Sequence, residues 1–344
     1  MRTFKVGLSR DFLNAEGRNA FGEEGIETLQ SHAHLEYGYF DEHRDPVGAD
    51  QIAPWNGIIS LTPKYTAETL KGADDLLVLA RFGVGYDNVD VEACTEADVA
   101  LTITPNGVRK PVAYSIMTHM LALAHQYPVK TRLVKENRWN DRINYPGKRI
   151  TGQTLGSIGL GNIAREMFHM TAGFEMRRLA YDPYIDPKIA KDIGVELVSL
   201  EELFERSDYI AVNCFLSKET YHLVSDALLG LMKPTAYIIN TARGGIIDEA
   251  ALIRALEGGK LAGAALDVFE EEPFVADSPL KHMDNVILTP HSLCWTDELY
   301  QGMWADSIAS VSSFAKRLPT SNVVNKEVLQ KNSFLNKMKR LCYE

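Results

Sequence analysis

The first hundred residues alternate short apolar runs with polar or glycine-rich breaks. β-prone runs at 4–8, 57–61, 76–80 and 99–103 predict strands with helical stretches between them. The apolar pattern then lengthens. From Pro111 to Gln126, Val112, Ile116, Met120, Leu121 and Leu123 predict a long helix with a broad apolar face, crossing between domains. His119 and His125 read as ordinary helix residues satisfied by their neighbours. The stretch 135–149 (KENRWNDRINYPGKR) is polar and basic, breaks the periodicity and predicts a surface connector. A second alternation follows, with strands expected at Thr154–Ile158, Arg178–Tyr181, Tyr209–Cys214, Tyr237–Asn240, Ala262–Leu266 and Val286–Leu288. One helix between them is easily justified: Asp248 caps it, Leu252, Ala255 and Leu256 fall at i, i+3 and i+4, and Gly258-Gly259 ends it. The polar, basic tail 322–344 predicts a short terminal helix with a frayed end.

Strands alternating with helices predict an α/β protein with a doubly wound parallel sheet covered on both faces. A length of 344 residues favours two domains, and 45% hydrophobic with 24% charged residues suits an ordinary globular chain. The net charge of −10 argues against nucleic acid or an anionic membrane surface as the main partner. Local donors can still bind a small anion. The initial apolar run is too short for a signal peptide and no stretch approaches the ~20 residues of a membrane span, so the chain reads as cytoplasmic. Cys94, Cys214, Cys294 and Cys342 are far apart, which predicts neither a zinc cage nor a disulfide framework.

The strand 154–158 runs directly into Gly159-Leu160-Gly161-Asn162-Ile163-Ala164, with a helix expected over Ile163–Thr171. A bare Gly-x-Gly is weak, but a strand before it, a helix after it and Ala164 as the third small residue make a dinucleotide-binding turn. Glycine lets the backbone approach a pyrophosphate, and the helix start supplies N–H donors and a favourable dipole. Asp182 closes the next strand, 21 residues after Gly161, where a carboxylate can hold ribose hydroxyls. An acidic residue with no arginine immediately after it repels a 2′-phosphate, so NAD is expected over NADP.

Ligands of open α/β sheets lie beyond the carboxyl ends of the strands. Three such ends carry Thr241-Ala242-Arg243-Gly244-Gly245, Asp267 with Glu270, Glu271 and Glu272, and His291 in Thr-Pro-His-Ser. Of nine histidines, His291 alone sits at such an end; His282 precedes the same strand and belongs to the opposite rim. Spacing does not choose among the three glutamates.

The motifs RFGVGYDNVD (81–90), GLGNIA (159–164), NTARGG (240–245), ALDVFEEEP (265–273) and TPHS (289–292) resemble those of the D-isomer-specific 2-hydroxyacid dehydrogenases, over about residues 50–327. The resemblance implies a Rossmann-type domain over 109–294, inserted in a discontinuous flavodoxin-like substrate domain of 1–108 and 295–344. It implies hydride transfer between NAD(H) and a D-2-hydroxy acid/2-oxo acid pair, with Arg243, Glu272 and His291 as the catalytic set. Glu272 is singled out because it precedes Pro273, five residues after Asp267. The implied cofactor residues are Gly159, Gly161, Asn162, Ile163, Asp182, Thr241, Ala242, Arg243, Asp267 and His291, with Asp267 on the nicotinamide carboxamide. Val84, Gly85 and Arg243 are the implied substrate-binding residues. A homodimer built on the 111–126 helix is also implied, and no metal.

Several positions depart from the family pattern: Tyr114 in place of glutamate, Phe215 where proline is usual, Phe82 at a commonly small site, and Cys294-Trp295 after the histidine. Phe82 and Trp295 either line a substrate pocket or pack an interface. Alternatives on the same scaffold are an NAD-sensing corepressor and a phosphite or formate dehydrogenase. The intact Arg, Glu and His set favours the hydroxyacid reading over formate oxidation, which needs no proton relay.

Overall fold

The computed structural model describes residues 3–274, 277–318 and 320–342. The chain forms two compact units, Met1–Val108 with Trp295–Glu344, and Arg109–Cys294.

In the first unit, β1 (Phe4–Leu8), β2 (Leu35–Tyr39), β3 (Gly57–Ser60), β4 (Val78–Arg81) and β5 (Ala100–Thr102) form a parallel sheet in the order β2-β1-β3-β4-β5. This is the flavodoxin-like order. β3 is buried throughout, as the apolar run Gly57-Ile58-Ile59 requires of a strand covered on both faces. β2 does not appear in the pattern of apolar runs, because Glu36 and Gly38 interrupt it and it lies at the sheet edge.

The second unit holds β6 (Thr154–Ile158), β7 (Arg177–Tyr181), β8 (Glu196–Leu197), β9 (Tyr209–Val212), β10 (Tyr237–Asn240), β11 (Gly263–Leu266) and β12 (Val286–Leu288). All seven are parallel, in the order β12-β11-β10-β9-β6-β7-β8. Counted within the unit, this is the Rossmann order extended by one strand. Successive residues face opposite sides: Ile238 joins one core with Ile210, Leu252 and Leu256, while Tyr237 and Ile239 join the other with Ile116, Met120 and Phe168.

The long helix is Pro105–His125, so Pro111 lies inside it and does not open it. Asp306 caps its true start, accepting from the amides of Asn106 at 2.9 Å and Gly107 at 3.4 Å. The expected connector, 135–149, holds a 3₁₀ turn at Trp139–Asn144, and a separate helix at Tyr127–Lys135 precedes it. The expected terminal helix is Asn332–Leu341 and is docked; the end expected to fray lies outside the described residues. The helix buries Phe334, Lys337, Met338 and Leu341, and Lys337 Nζ donates to the carbonyls of Ala73, Ala97 and Asp98. Those three acceptors satisfy an ammonium that burial otherwise penalises.

Phe82 is fully buried, its ring against Phe12, Phe21 and Trp304, and is therefore a packing residue. Trp295 is 47% exposed and makes edge-to-face contacts with Phe21 and Tyr300.

Candidate active site

The turn from β6 into the helix Asn162–Met170 packs closely on the backbone at Asn213 and leaves open space at its second glycine. Gly159 has φ 93°, and a Cβ there would press on Asn213 O at 2.9 Å, so only glycine fits. At Gly161 a Cβ would meet nothing within 4 Å, and as N-cap it offers no side-chain acceptor to the helix amides. Open space before uncapped N–H groups suits a pyrophosphate. Arg165 Nη2 donates to Asn162 Oδ1 at 2.5 Å, which brings a guanidinium to the same helix start. Ile163 is partly buried on its first turn. Asp182 is tied to the turn: Oδ2 accepts from the Leu160 amide at 2.8 Å and Oδ1 from the Tyr184 amide at 2.9 Å. Each oxygen keeps a lone pair for a ribose hydroxyl.

Beyond β10, Asn240 shapes the loop that carries Arg243. Its Oδ1 accepts from the Ala242 amide at 3.0 Å and its Nδ2 donates to Arg243 O at 2.9 Å, an Asx turn closed at both ends. The Thr241 hydroxyl in this loop is buried with no hydrogen-bond partner among the described residues, a vacancy that a dinucleotide fits. Arg243 Nη1 donates to Ala242 O at 2.8 Å. Gly244 admits the neighbouring segment, because a Cβ there would strike the Phe269 carbonyl and the Glu270 amide.

His291 stands at φ 51°, its amide donating to Thr289 O at 3.0 Å, and its Nδ1 lies 2.7 Å from Glu272 Oε2. A non-glycine residue in the left-handed region is uncommon and gathers at functional turns. Glu272 Oε1 accepts from the Phe269 amide at 3.0 Å. Partial burial pushes the Glu272 carboxyl up, but the His291 hydrogen bond and charge, the Phe269 amide and the Arg243 charge outweigh it. The carboxyl therefore lies below its ordinary range and is ionised near neutrality. Of the three glutamates, then, Glu272 meets His291, Glu270 bonds to His222, and Glu271 is exposed.

Asp267 is 3% exposed and already engaged. Oδ1 accepts from the Thr289 hydroxyl at 2.5 Å and from the Ser292 and Leu293 amides at 3.2 Å each, so it anchors the turn that carries His291. Behind it His119, 1% exposed, places Nε2 3.4 Å from Thr289 Oγ1. Burial pushes His119 down to about 4, with Asp267 opposing. Asn240, Thr289 and His119 were not distinguished from the sequence. Asn240 had a signal, an Asx residue closing a strand; His119 had none, since its partner is 170 residues away. Val84 and Gly85, partly buried, follow Gly83 with φ 140° in the first unit. Among the described residues no group of three or more His, Cys, Asp or Glu could hold a metal.

The sheet order and the glycine turn define a doubly wound α/β protein of the dinucleotide-binding class. Residues 117–292 match the profile "D-isomer specific 2-hydroxyacid dehydrogenase, NAD binding domain". The chain is 37% identical over 277 residues to a D-3-phosphoglycerate dehydrogenase of Archaeoglobus fulgidus, covering 80% of this chain and 52% of that protein. It is 33% identical over 315 residues to a glyoxylate reductase of Korarchaeum cryptofilum, covering 90% and 94%. A solved glyoxylate reductase from Paecilomyes thermophila superposes with a TM-score of 0.81 at 28% identity, covering 95% and 100%. The chain belongs to the D-isomer specific 2-hydroxyacid dehydrogenase family, and its cofactor is a nicotinamide dinucleotide. It spans about half the length of the curated D-3-phosphoglycerate dehydrogenases it matches. No described helix is long and apolar enough to cross a membrane.

Proposed function

We propose that this protein reduces a 2-oxo acid to the D-2-hydroxy acid, or runs the reverse oxidation, with NAD(H) as hydride carrier. The observation that carries this reading is the His291 Nδ1 to Glu272 Oε2 bond of 2.7 Å, with the Arg243 charge felt at the Glu272 carboxyl, at the strand-end edge of the parallel sheet that also carries the Gly159 turn. When bound, the nicotinamide supplies or accepts the hydride at C2 of the acid. Glu272 engages Nδ1 of His291, which leaves Nε2 as the atom that gives a proton to the developing alkoxide or takes one from the hydroxyl. Arg243 offers planar donors to the 2-oxo group and carboxylate, and the amides of Val84 and Gly85 take the carboxylate as well.

Gly159, Gly161, Asn162 and Ile163 are assigned to the pyrophosphate, Asp182 to the ribose, and Thr241 and Ala242 to the loop lining the cofactor. Asp267 holds the His291 turn, with the nicotinamide carboxamide as a further donor to the same carboxylate. Asp182 supports NAD over NADP. The first unit, 1–108 with 295–344, is assigned to the substrate and the second, 109–294, to NAD. A homodimer built on the 111–126 helix is supported by Tyr114, 46% exposed on that helix, and by Tyr127, Val134, Trp139 and Ile143, 58–82% exposed in the stretch that follows it. Free cysteines support a cytoplasmic location.

The test is absorbance at 340 nm with glyoxylate, hydroxypyruvate, pyruvate and bulkier 2-oxo acids, using NADH and NADPH in parallel. Turnover of at least one acid with higher kcat/KM for NADH is expected. No turnover of any 2-oxo acid would overturn the reading.

A further inference from the structure

A second histidine–carboxylate pair lies in the same unit, outside the Arg243, Glu272 and His291 set. His222 Nε2 is hydrogen-bonded to Glu270 Oε1, and both side chains are 33% exposed. His222 is itself in the left-handed region, φ 52°, and its ring stacks on Tyr221 with centroids 3.9 Å apart. Its amide donates to Gly245 O at 2.8 Å, and the Val224 amide continues the contact to Ile246 O at 3.0 Å. The main chain at 222–224 therefore runs beside the residues that follow Arg243. The His222 side chain meanwhile reaches the segment that carries Glu272, two residues past Glu270. Those two segments also meet directly at Gly244, whose missing Cβ makes room for Phe269 and Glu270.

We propose that His222 and Glu270 are a positioning pair that fixes the Arg243 loop against the Glu272 segment. His222 touches one by its backbone and the other by its ring, so its rotamer sets the offset between the guanidinium and the carboxylate that engages His291. Exposed ion pairs add little to global stability, whereas small displacements of catalytic groups are costly in rate. The loss on breaking the pair should therefore fall on kcat. The proposal rests on the dehydrogenase reading for its kinetic arm only.

The experiment compares Glu270→Ala, Glu270→Gln, His222→Asn and the double variant His222→Asn/Glu270→Ala. Asparagine tolerates the left-handed backbone but is too short to reach Glu270. Three quantities are measured: kcat and KM for the best 2-oxo acid, NADH affinity by fluorescence, and amide hydrogen exchange over 241–248 and 268–274. The expected result is a tenfold or greater fall in kcat for His222→Asn and Glu270→Ala, with NADH affinity within twofold and faster exchange in both segments. The double variant should be no worse than either single, and Glu270→Gln, which keeps the acceptor, should retain most of kcat. A kcat within twofold of wild type, additive losses, equal damage from Glu270→Gln and Glu270→Ala, or faster exchange only around residue 222 would overturn it. If the unaltered protein turns over no 2-oxo acid, the dehydrogenase reading fails, and the exchange arm still decides whether the pair couples the two segments.

Discussion

Replacing His119 by glutamine should remove a specific acid sensitivity from the fold. His119 is 1% exposed, and burial holds its pKa at about 4 against an ordinary 6.5. The folded state thus declines a proton that the unfolded chain accepts once the pH drops below 6.5. Stability contributed by the neutral ring is complete above that value and is lost as pH falls toward 4. The whole difference corresponds to about 3 kcal/mol, of which roughly 2 kcal/mol is lost between pH 7.5 and pH 5.0. Glutamine keeps a donor for the Thr289 hydroxyl but does not titrate. Urea unfolding followed by circular dichroism at both pH values gives each protein's loss of stability, and other groups cancel in the comparison. Wild type should lose roughly 2 kcal/mol more than His119→Gln. Equal losses would refute a buried neutral histidine behind Asp267.

Arg243→Lys keeps the charge but loses the planar fork, so kcat/KM for 2-oxo acids should fall by roughly 2 to 4 kcal/mol in transition-state terms, with NADH affinity within twofold. Steady-state kinetics and a fluorescence titration check it. The His291 bond and charge lower the Glu272 carboxyl, which is therefore ionised where it engages Nδ1. Glu272→Gln loses the carboxylate that engages Nδ1 of His291, so kcat/KM for reduction should fall by roughly tenfold or more with NADH affinity within twofold, measured by steady-state kinetics and fluorescence titration; an unchanged kcat/KM would refute the coupling. Ile143, 82% exposed, tests the proposed association surface: the unaltered protein should sediment as a dimer at micromolar concentration and Ile143→Glu as a monomer, and a monomeric unaltered protein would refute the dimer.

The strands buried on both faces were readable because continuous apolar runs such as Tyr237-Ile238-Ile239 mark them. β2 and the two-residue β8 were not, since edge strands carry charged and glycine residues that look like turns. The apolar periodicity became visible only from Pro111, yet Asp306, 200 residues on from Asn106, caps the helix a turn and a half earlier. The basic tail concealed Phe334, Met338 and Leu341, which form one helical face, and nothing local signals that Lys337 has three carbonyl partners. In the site, positions at strand ends selected Arg243 and His291. The choice of Glu272 over Glu270 needed the family pattern, and the geometry gives each its own histidine. Asp267 was recognised as functional, but its grip on Thr289, Ser292 and Leu293 depends on two strand ends meeting.

The central claim is direct hydride transfer to C2 of a 2-oxo acid, with the proton supplied by His291. It is tested most directly with NADH carrying two deuterons at C4, by mass and NMR analysis of the hydroxy acid formed by wild type and by His291→Ala. Wild type should give the D-enantiomer with one deuteron at C2, and His291→Ala should form it ~10² to 10⁴ times more slowly. A product without deuterium at C2, or an undiminished rate in His291→Ala, would contradict it.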